Sequence, residues 1–202
     1  ISTDFRGYKV WECPPNGQGL IALLLLNVMG GCDVDAAKGP ITADRIHQEI
    51  EAGRLAYTAR NLYLADPDFN PVPVEELLSA DYAASVRAAI DPKRAADPTT
   101  AVDLPRHKDT VYITVVDKDR NCCSFINTVF YGFGSGLLAS NSGVLLQNRG
   151  MGFSLQSGHP NAIAPGKRTV TPIIPSSPTK GHGPVCARGV TGRAYVGLGH
   201  TE

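Results

Sequence analysis

The sequence lacks an excess of charge of either sign, and it lacks a long apolar run. Its 19 basic residues balance 19 acidic residues. A neutral chain has no electrostatic footprint for nucleic acid or for an anionic membrane. The longest apolar stretch, Leu20 to Met29, is interrupted by Asn27 and falls short of the roughly 18–20 residues that span a bilayer. Neither nucleic acid nor a membrane is therefore expected as a partner.

Cysteine is scarce, and its spacing excludes the usual zinc motifs. Free buried thiols are expected for the five cysteines, Cys13, Cys32, Cys122, Cys123 and Cys186. Internal repeats, low-complexity tracts and a signal peptide are also lacking. Because the chain begins at Ile1, we expect the natural N-terminus to lie upstream. The compartment, cytoplasm or periplasm, stays open.

The first ninety residues carry the periodicity of helices. A short strand from Tyr8 to Glu12 and a Pro-Pro-Asn-Gly turn precede a helix predicted over Gly19 to Val28,. A longer amphipathic helix is predicted from about Thr42 to Leu64, and a further helix runs from a Ser79 cap to about Ile90,. Four residues share one predicted face of the longer helix: Ile46, Ile50, Gly53 and Tyr57.

The texture changes abruptly between Asp109 and Thr110. Residues 91–108 are polar and proline-rich, which is typical of an exposed, flexible loop,. Thr110 to Val116 is β-branched and aromatic, and Cys122 to Val129 follows a polar turn, so the two segments predict a hairpin,. Gly143 to Leu146 and Val185 to Gly189 are further strand candidates. Helices followed by strands predict an α+β fold with helices layered on largely antiparallel sheet.

A threonine that follows an exposed linker and opens a strand invites two interpretations. Most such threonines are structural. An N-terminal threonine, however, is a nucleophile that carries its own general base, because its α-amine can accept the hydroxyl proton. That chemistry requires cleavage of the Asp109–Thr110 bond. The local pattern alone leaves both interpretations open.

An ordered set of segments resembles the γ-glutamyltranspeptidase family. The segments run almost from end to end: Tyr8 to Leu20, Glu51-Ala52-Gly53, Ala65 to Phe69, Asp109 to Asn121, Gly132 to Gly136, and Ser142 to Asn148. Each is short, but their conserved order makes chance a poor explanation. The chain is similar to a fragment of such a protein.

The resemblance implies an N-terminal nucleophile (Ntn) hydrolase with an αββα sandwich. It implies self-cleavage at Asp109–Thr110, then cleavage of γ-glutamyl or related amides through a threonyl ester. Residues 1–109 would be the C-terminal part of the large-subunit region, ending in a flexible processing loop. Residues 110–202 would be the small-subunit region, and together they would form one domain. The implied partners are a small-molecule amide and the sister subunit, with a homodimer of the processed pair as one assembly. No cofactor is implied.

Three positions match the family's catalytic residues. Thr110 matches the nucleophile, and Thr128 matches the threonine whose hydroxyl supports it. Gly192 matches the first glycine of a Gly-Gly pair whose backbone N–H groups form the oxyanion hole,. The alternatives are an ordinary strand threonine at 128 and a plain turn glycine at 192. Arg193 stands where the second glycine of the pair belongs.

The predicted substrate-binding residues depart from the family's pattern. Phe130 replaces an asparagine, while Arg149 and Gly152 replace the Gln and Asp that receive the amino-acid head of the substrate. Thr171-Pro172 replaces a Ser-Ser pair and keeps one hydroxyl, on Thr171. A guanidinium suits a carboxylate, so the pocket is predicted to favour a dicarboxylic acyl group such as glutaryl. This pattern resembles the acylase-like branch that includes cephalosporin acylase-type proteins, although a surface or salt-bridge arginine remains the alternative for Arg149.

Two hypotheses follow. The first is a threonine hydrolase or acyltransferase that acts on γ-glutamyl or glutaryl-type amides. The second is a non-catalytic or unprocessed relative that acts as a binding scaffold, since Phe130, Gly152 and Arg193 each erode a substrate or oxyanion contact.

Overall fold

The computed structural model describes residues 1–32, 41–96, 109–181, 183–190 and 196–200. Helices and antiparallel sheets both occur, so the predicted α+β class is confirmed. The elements run in chain order as β1 (Ser2–Phe5), β2 (Tyr8–Trp11), α1 (Gly19–Gly30), α2 (Ala43–Tyr63), α3 (Val74–Leu77), α4 (Ala80–Ala88), β3 (Asp109–Val116), β4 (Cys122–Phe130), β5 (Ser177–Lys180), β6 (Gly183–Pro184) and α5 (Val196–Gly199).

The helix α1 forms the centre of the core. All of its residues except Asn27 and Gly30 are buried. A helix that is apolar on every side has to be covered on every side, and α2, α4, α5 and β1 all contact it. Burial of each large side chain contributes about 1.5–3 kcal/mol. The prediction of a buried helix in this segment is confirmed.

Side-chain caps start α2 and α4, and the predicted Ser79 cap is confirmed. The Thr42 hydroxyl accepts a hydrogen bond from the backbone N–H of Arg45 at 3.1 Å. The Ser79 hydroxyl accepts one from the N–H of Tyr82 at 3.1 Å. Each cap satisfies one of the N–H groups that the first turn of a helix leaves without a partner.

The buried face of α2 differs from the predicted one. Ile46 and Ile50 are 41% and 50% exposed, so the prediction that they belong to the packed face is wrong. The core instead receives Ala52, Ala56 and Ala59. Small side chains let α2 approach α1, whose leucines already fill the space between the two helices. Volume at the contact therefore decided the face, which hydrophobicity alone could not show.

A four-stranded antiparallel sheet joins the two ends of the chain. Its strand order is β1-β2-β5-β6. Within it β2 pairs with β5, so that Lys9 lies opposite Thr179 and Trp11 lies opposite Ser177. The sheet therefore combines strands from both sides of the predicted cleavage point.

Two predicted strands are wrong. Over Gly143 to Leu146 and over Val185 to Gly189 the structure has isolated bridges, Leu138 with Leu145 and Ser176 with Arg188. The strands β5 and β6 lie elsewhere and are rich in Ser, Pro, Thr, Lys and Gly. Pro, Gly and Lys are depleted in strands, so β5 depends on its pairing with β2, and β6 depends on its pairing with β5.

The hairpin of β3 and β4 is confirmed. Its turn is closed by the Asp117 carboxylate, which accepts hydrogen bonds from the N–H groups of Asp119 and Asn121, both at 2.8 Å. The side-chain amide of Asn121 donates a third bond at 2.8 Å. These bonds, with Asn121 contributing most, hold the pKa of Asp117 below its usual value. One face of the hairpin carries exposed apolar side chains: Val111, Ile113, Val115 and Phe125.

The cysteines are free, as predicted, but the prediction that they are buried is wrong. Cys13, Cys122, Cys123 and Cys186 are exposed, and Cys32 is half-buried. Cys122 and Cys123 begin β4, where neither face of the hairpin is covered, so both side chains are exposed. Among the described helices, none has the length and apolar character needed to cross a membrane.

Candidate active site

Thr110 and Thr128 face each other across the hairpin. They are register partners on β3 and β4, and their Oγ1 atoms lie 2.9 Å apart, with either hydroxyl able to donate. Cross-strand partners on one face of a sheet have adjacent Cβ atoms. Strand pairing therefore brings together the predicted nucleophile and the hydroxyl predicted to support it.

The pairing is irregular at the Asp109–Thr110 bond. Asp109 pairs with Phe130 while Thr110 pairs with Thr128, which leaves Val129 as an extra residue opposite this bond. Bulges of this kind bend a strand and are over-represented next to active sites. The bend is held by the Phe130 N–H, which donates to Thr128 Oγ1 at 3.0 Å.

The backbone of Phe130 is in the left-handed region, with φ of +80°. Asparagine and glycine tolerate this region, whereas a bulky aromatic residue adopts it at a cost in free energy. The resemblance led us to expect an asparagine here, and the backbone supplies a structural reason for one. Phe130 keeps the unfavourable conformation while its ring packs edge-on against the Tyr131 ring, with centroids 4.7 Å apart.

Arg149 lies beside this bulge, on a short 3-10 helix (Arg149–Gly152). Its guanidinium carbon is 4.7 Å from the centre of the Phe130 ring, a cation–π distance,. The preceding residue, Asn148, fixes the position through bonds to the N–H of Tyr131 at 3.1 Å and to the carbonyl of Val129 at 3.2 Å. Burial lowers the pKa of Arg149, and its Nη1 is buried without a partner among the described residues.

A cavity of about 280 Å³ adjoins the bulge. Both sides of the predicted cleavage point contribute to its walls, and the lining includes Arg60, Leu64, Phe130, Phe153, His159 and Pro172. Phe130 lies next to both the threonine pair and the cavity. Arg149 packs on Phe130 but is not itself among the lining residues.

Gly152 lines the cavity at a position where there is no room for a side chain. A Cβ atom there would lie 2.9 Å from Thr169 Oγ1 and 3.6 Å from the carbonyl oxygen of Val170. Because Thr169 is buried, it cannot easily move away. The aspartate that the family resemblance led us to expect at this position is thus excluded by space as well as absent from the sequence.

Thr171 is held by backbone hydrogen bonds to the segment that leads into α1. Its N–H donates to the carbonyl of Asn16 and its carbonyl accepts from the N–H of Gln18, both at 3.0 Å. Its neighbours Val170 and Pro172 line the cavity. The structure therefore brings Thr110, Thr128 and Arg149 together around Phe130 and places Thr171 between two residues that line the cavity. Gly192, Arg193 and the part of the predicted 91–108 loop that covers residues 97–108 lie outside the described residues.

An ion pair that the sequence did not reveal joins the two regions. The Asp66 carboxylate, 1% exposed, accepts two hydrogen bonds from the Arg168 guanidinium, from Nη2 at 2.5 Å and from Nε at 3.1 Å, and one from the Arg168 backbone N–H at 2.8 Å. These bonds lower the pKa of Asp66 to about 2. Asp66 and Arg168 are 102 residues apart in the chain, and no local sequence pattern indicates that they pair.

A second buried contact also joins the two regions. His200 Nδ1 lies 2.8 Å from Glu12 Oε1, and both side chains are buried. Burial raises the pKa of Glu12, and the hydrogen bond with His200 opposes that rise.

The fold is that of the Ntn hydrolases. The crystal structure of cephalosporin acylase from Bacillus halodurans superposes with a TM-score of 0.86 at 42% identity, over 99% of this chain and 35% of that one. The sequence profile described as gamma-glutamyltranspeptidase matches residues 1–196. The chain belongs to the γ-glutamyltranspeptidase family.

Curated relatives include a glutathione hydrolase-like protein and an acylase. The glutathione hydrolase-like YwrD proenzyme of Bacillus subtilis (strain 168) is 37% identical over 192 residues, covering 95% of this chain and 36% of the relative. The acylase ACY 1 proenzyme of Pseudomonas sp. (strain V22) is 32% identical over 181 residues, covering 89% of this chain and 32% of the relative. The chain thus spans about a third of the length of these relatives.

Proposed function

We propose that this chain carries the nucleophile and the acyl pocket of a self-processing threonine hydrolase or acyltransferase. The protein would cut itself at Asp109–Thr110 and then cleave γ-glutamyl or glutaryl-type amides. The family assignment supports the reaction class, and relatives named as proenzymes support processing. Residues 1–109 and 110–202 would act as one domain, because the sheet, the core and the cavity are each built from both.

The contact between Thr110 and Thr128, 2.9 Å long and opposite a bulge, carries this proposal. In self-processing, Thr110 Oγ1 attacks the Asp109 carbonyl carbon and its hydroxyl proton passes to the departing Thr110 nitrogen. The peptide bond thereby becomes an ester, which water hydrolyses to release the Asp109 carboxylate. The hydrogen bond with Thr128 orients Thr110 Oγ1 for both steps.

Turnover uses the same oxygen with a new base. Once the chain is cut, the α-amine of Thr110 accepts the hydroxyl proton as Oγ1 attacks the amide of the substrate. The amine product leaves with that proton, and an acyl ester remains on Thr110. Attack by water completes hydrolysis, and attack by a second amine completes transfer.

The substrate preference follows from Arg149 and Gly152. Gly152 provides neither a carboxylate nor space for one, so an α-ammonium group lacks its usual anionic partner. Arg149 supplies a half-buried cation with an N–H that needs an acceptor. Because a guanidinium binds carboxylates well, a glutaryl amide is the better substrate. We expect the intact protein to cleave a glutaryl anilide with a higher kcat/KM than the γ-glutamyl anilide, and the reverse ranking would refute the Arg149 argument.

Denaturing mass spectrometry of the intact protein and its Thr110→Ala variant tests the proposal. Wild-type protein should separate into two polypeptides divided at Asp109–Thr110, and the variant should stay whole and hydrolyse neither anilide. A wild-type chain that stays whole on long incubation and turns over neither substrate would support the scaffold hypothesis instead.

A further inference from the structure

The cavity contains a hydrogen-bond donor whose role the proposed function leaves open. His159 lines it, on the loop that follows Gly152. Its Nδ1 accepts a hydrogen bond from the backbone N–H of Asn161 at 2.9 Å. Since a backbone N–H can only donate, Nδ1 holds a lone pair, and the neutral ring carries its proton on Nε2. Across the described part of the chain, no protein group accepts that proton.

The loop that carries His159 is rigidly held by a buried asparagine. Asn161 is 6% exposed. Its Nδ2 donates to the carbonyl of Gly152 at 2.8 Å, and its Oδ1 accepts from the N–H of Val170 at 3.1 Å. Its backbone carbonyl also accepts from the N–H of Ser154 at 2.9 Å. Asn161 therefore holds Gly152 and Val170 of the cavity lining through its side chain, and it holds the His159 imidazole through its backbone N–H.

The polar groups of the cavity point to an anionic ligand. No carboxylate lines it, and Arg60 is its one charged lining residue among those described. Leu64, Phe130 and Phe153 provide apolar walls. A ligand with a short apolar body and an anionic end matches such a lining. Its apolar body would contact the apolar walls, and its anionic end would have partners in Arg60 and His159, which it needs once water is excluded.

We propose that His159 is a specificity-determining residue, which donates from Nε2 to the carboxylate at the far end of the acyl group. This inference rests on the proposed function. Arg149 is stacked on Phe130 and does not line the cavity, whereas His159 does. Arg60 adds positive charge to the cavity lining, and its Nη1 donates to Gln18 Oε1 at 3.3 Å. His159 then selects for an acyl group with a terminal carboxylate, such as glutaryl, over the uncharged pentanoyl group of the same length.

The test measures KM and kcat for glutaryl anilide and pentanoyl anilide on the intact protein. In His159→Phe, KM for the glutaryl substrate should rise about tenfold, because loss of one hydrogen bond to a charged group has an effect of that size. KM for the pentanoyl substrate should stay within about twofold, and kcat should be nearly unchanged because the Thr110 pair is intact. His159→Gln, which keeps an N–H donor, should restore part of the glutaryl selectivity. His47→Phe is the matched control. His47 is on α2, its ring hydrogen-bonds the carbonyl of Asp91 at 2.7 Å, and it is not among the residues that line the cavity.

Equal KM changes for the two substrates, or no change for either, would overturn the role of His159. If His159→Phe does not fold, His159→Leu removes the donor with a smaller side chain and is judged by the same comparison. Failure of the proposed function looks different, because the wild-type protein would then turn over neither anilide, or turnover would survive Thr110→Ala. If Thr110→Ala abolishes turnover while His159→Phe shows no dependence on substrate charge, the inference about His159 alone is wrong.

Discussion

The helix α1 and the hairpin of β3 and β4 are built on opposite principles. Leu20, Leu23 and Leu24 of α1 have no exposed surface, and they contact their neighbours only through apolar packing. The hairpin leaves Val111 and Ile113 about half exposed and brings the hydroxyl groups of Thr110 and Thr128 together at the candidate site. Stability and chemistry are therefore carried by different segments, and substitutions in the two should affect different measurements.

The largest effect on chemistry is expected from Thr128→Val. Valine keeps the shape of threonine but removes the hydroxyl that contacts Thr110 Oγ1 and the Phe130 N–H. Self-cleavage and turnover should each slow by about 10- to 100-fold, in line with the loss of one or two hydrogen bonds. The free energy of unfolding should change by less than about 1 kcal/mol.

Stopped-time mass spectrometry and urea unfolding measure the two effects of Thr128→Val separately. Thr114→Val is the matched control. Thr114 is on β3, the same strand as Thr110, and its hydroxyl donates to the carbonyl of Ala187 at 3.3 Å. If both variants slow cleavage equally, the contact with Thr110 has no special role.

The largest effect on stability is expected from Leu24→Ala in α1. Leu24 is completely buried in the main core, and removing a buried leucine costs about 2–5 kcal/mol. Urea unfolding should show that loss, while kcat of the folded fraction stays close to wild type. A large fall in kcat without a shift in the unfolding midpoint would contradict the separation of the two segments.

The Asp66–Arg168 pair should make stability depend on pH. The pKa of Asp66 falls from 3.8 in the unfolded chain to about 2 in the folded one. A lowered pKa means that the stabilisation is complete above about pH 4–5 and disappears as pH falls through 2. Asp66→Asn should therefore lower the unfolding midpoint at pH 6, and its difference from wild type should shrink steadily toward pH 2. Asp119→Asn, on an exposed turn, should show no such convergence, and a pH-independent difference at Asp66 would refute the mechanism.

The smallest effect concerns space at the cavity floor. Gly152→Asp alone should fail to create γ-glutamyl activity, because its Cβ would lie 2.9 Å from Thr169 Oγ1, and overpacking of this kind costs about 1–3 kcal/mol. Gly152→Asp with Thr169→Ala removes the obstructing oxygen. The double variant should recover the lost stability and gain a few-fold in kcat/KM for γ-glutamyl anilide. Equal activities of the single and double variants would show that space at Thr169 is not the obstacle.

Local signals explain what the sequence could predict. The apolar run of α1, the capping residues Thr42 and Ser79, and the β-branched segment after Asp109 each act within a few residues. Pairing within one hairpin followed from these signals, whereas the meeting of Thr110 and Thr128 was expected from the family resemblance. All of these features depend on neighbours that are close in the sequence.

Contacts between distant segments explain what the sequence could not predict. The strand β5 pairs with β2 across most of the chain, and its own composition gives little strand signal. The cavity has the same origin, since Arg60 and His159 come from opposite sides of the predicted cleavage point. The orientation of His159 depends on the hydrogen bond from the Asn161 N–H. The Pro-Asn dipeptide that follows the histidine in the sequence does not predict this bond.

Under the proposed chemistry, the bulge opposite the Asp109–Thr110 bond would make folding precede self-cleavage. Thr128 reaches Thr110 only after β3 and β4 have paired, so an unfolded chain lacks the contact that would promote its own cleavage. Under the proposed chemistry, a cut chain is one whose hairpin has already formed. The pairing of β2 with β5 would then keep the two polypeptides together after cleavage. A cleaved chain would thus be one that had folded correctly, and cleavage would not lead to separation of the two polypeptides.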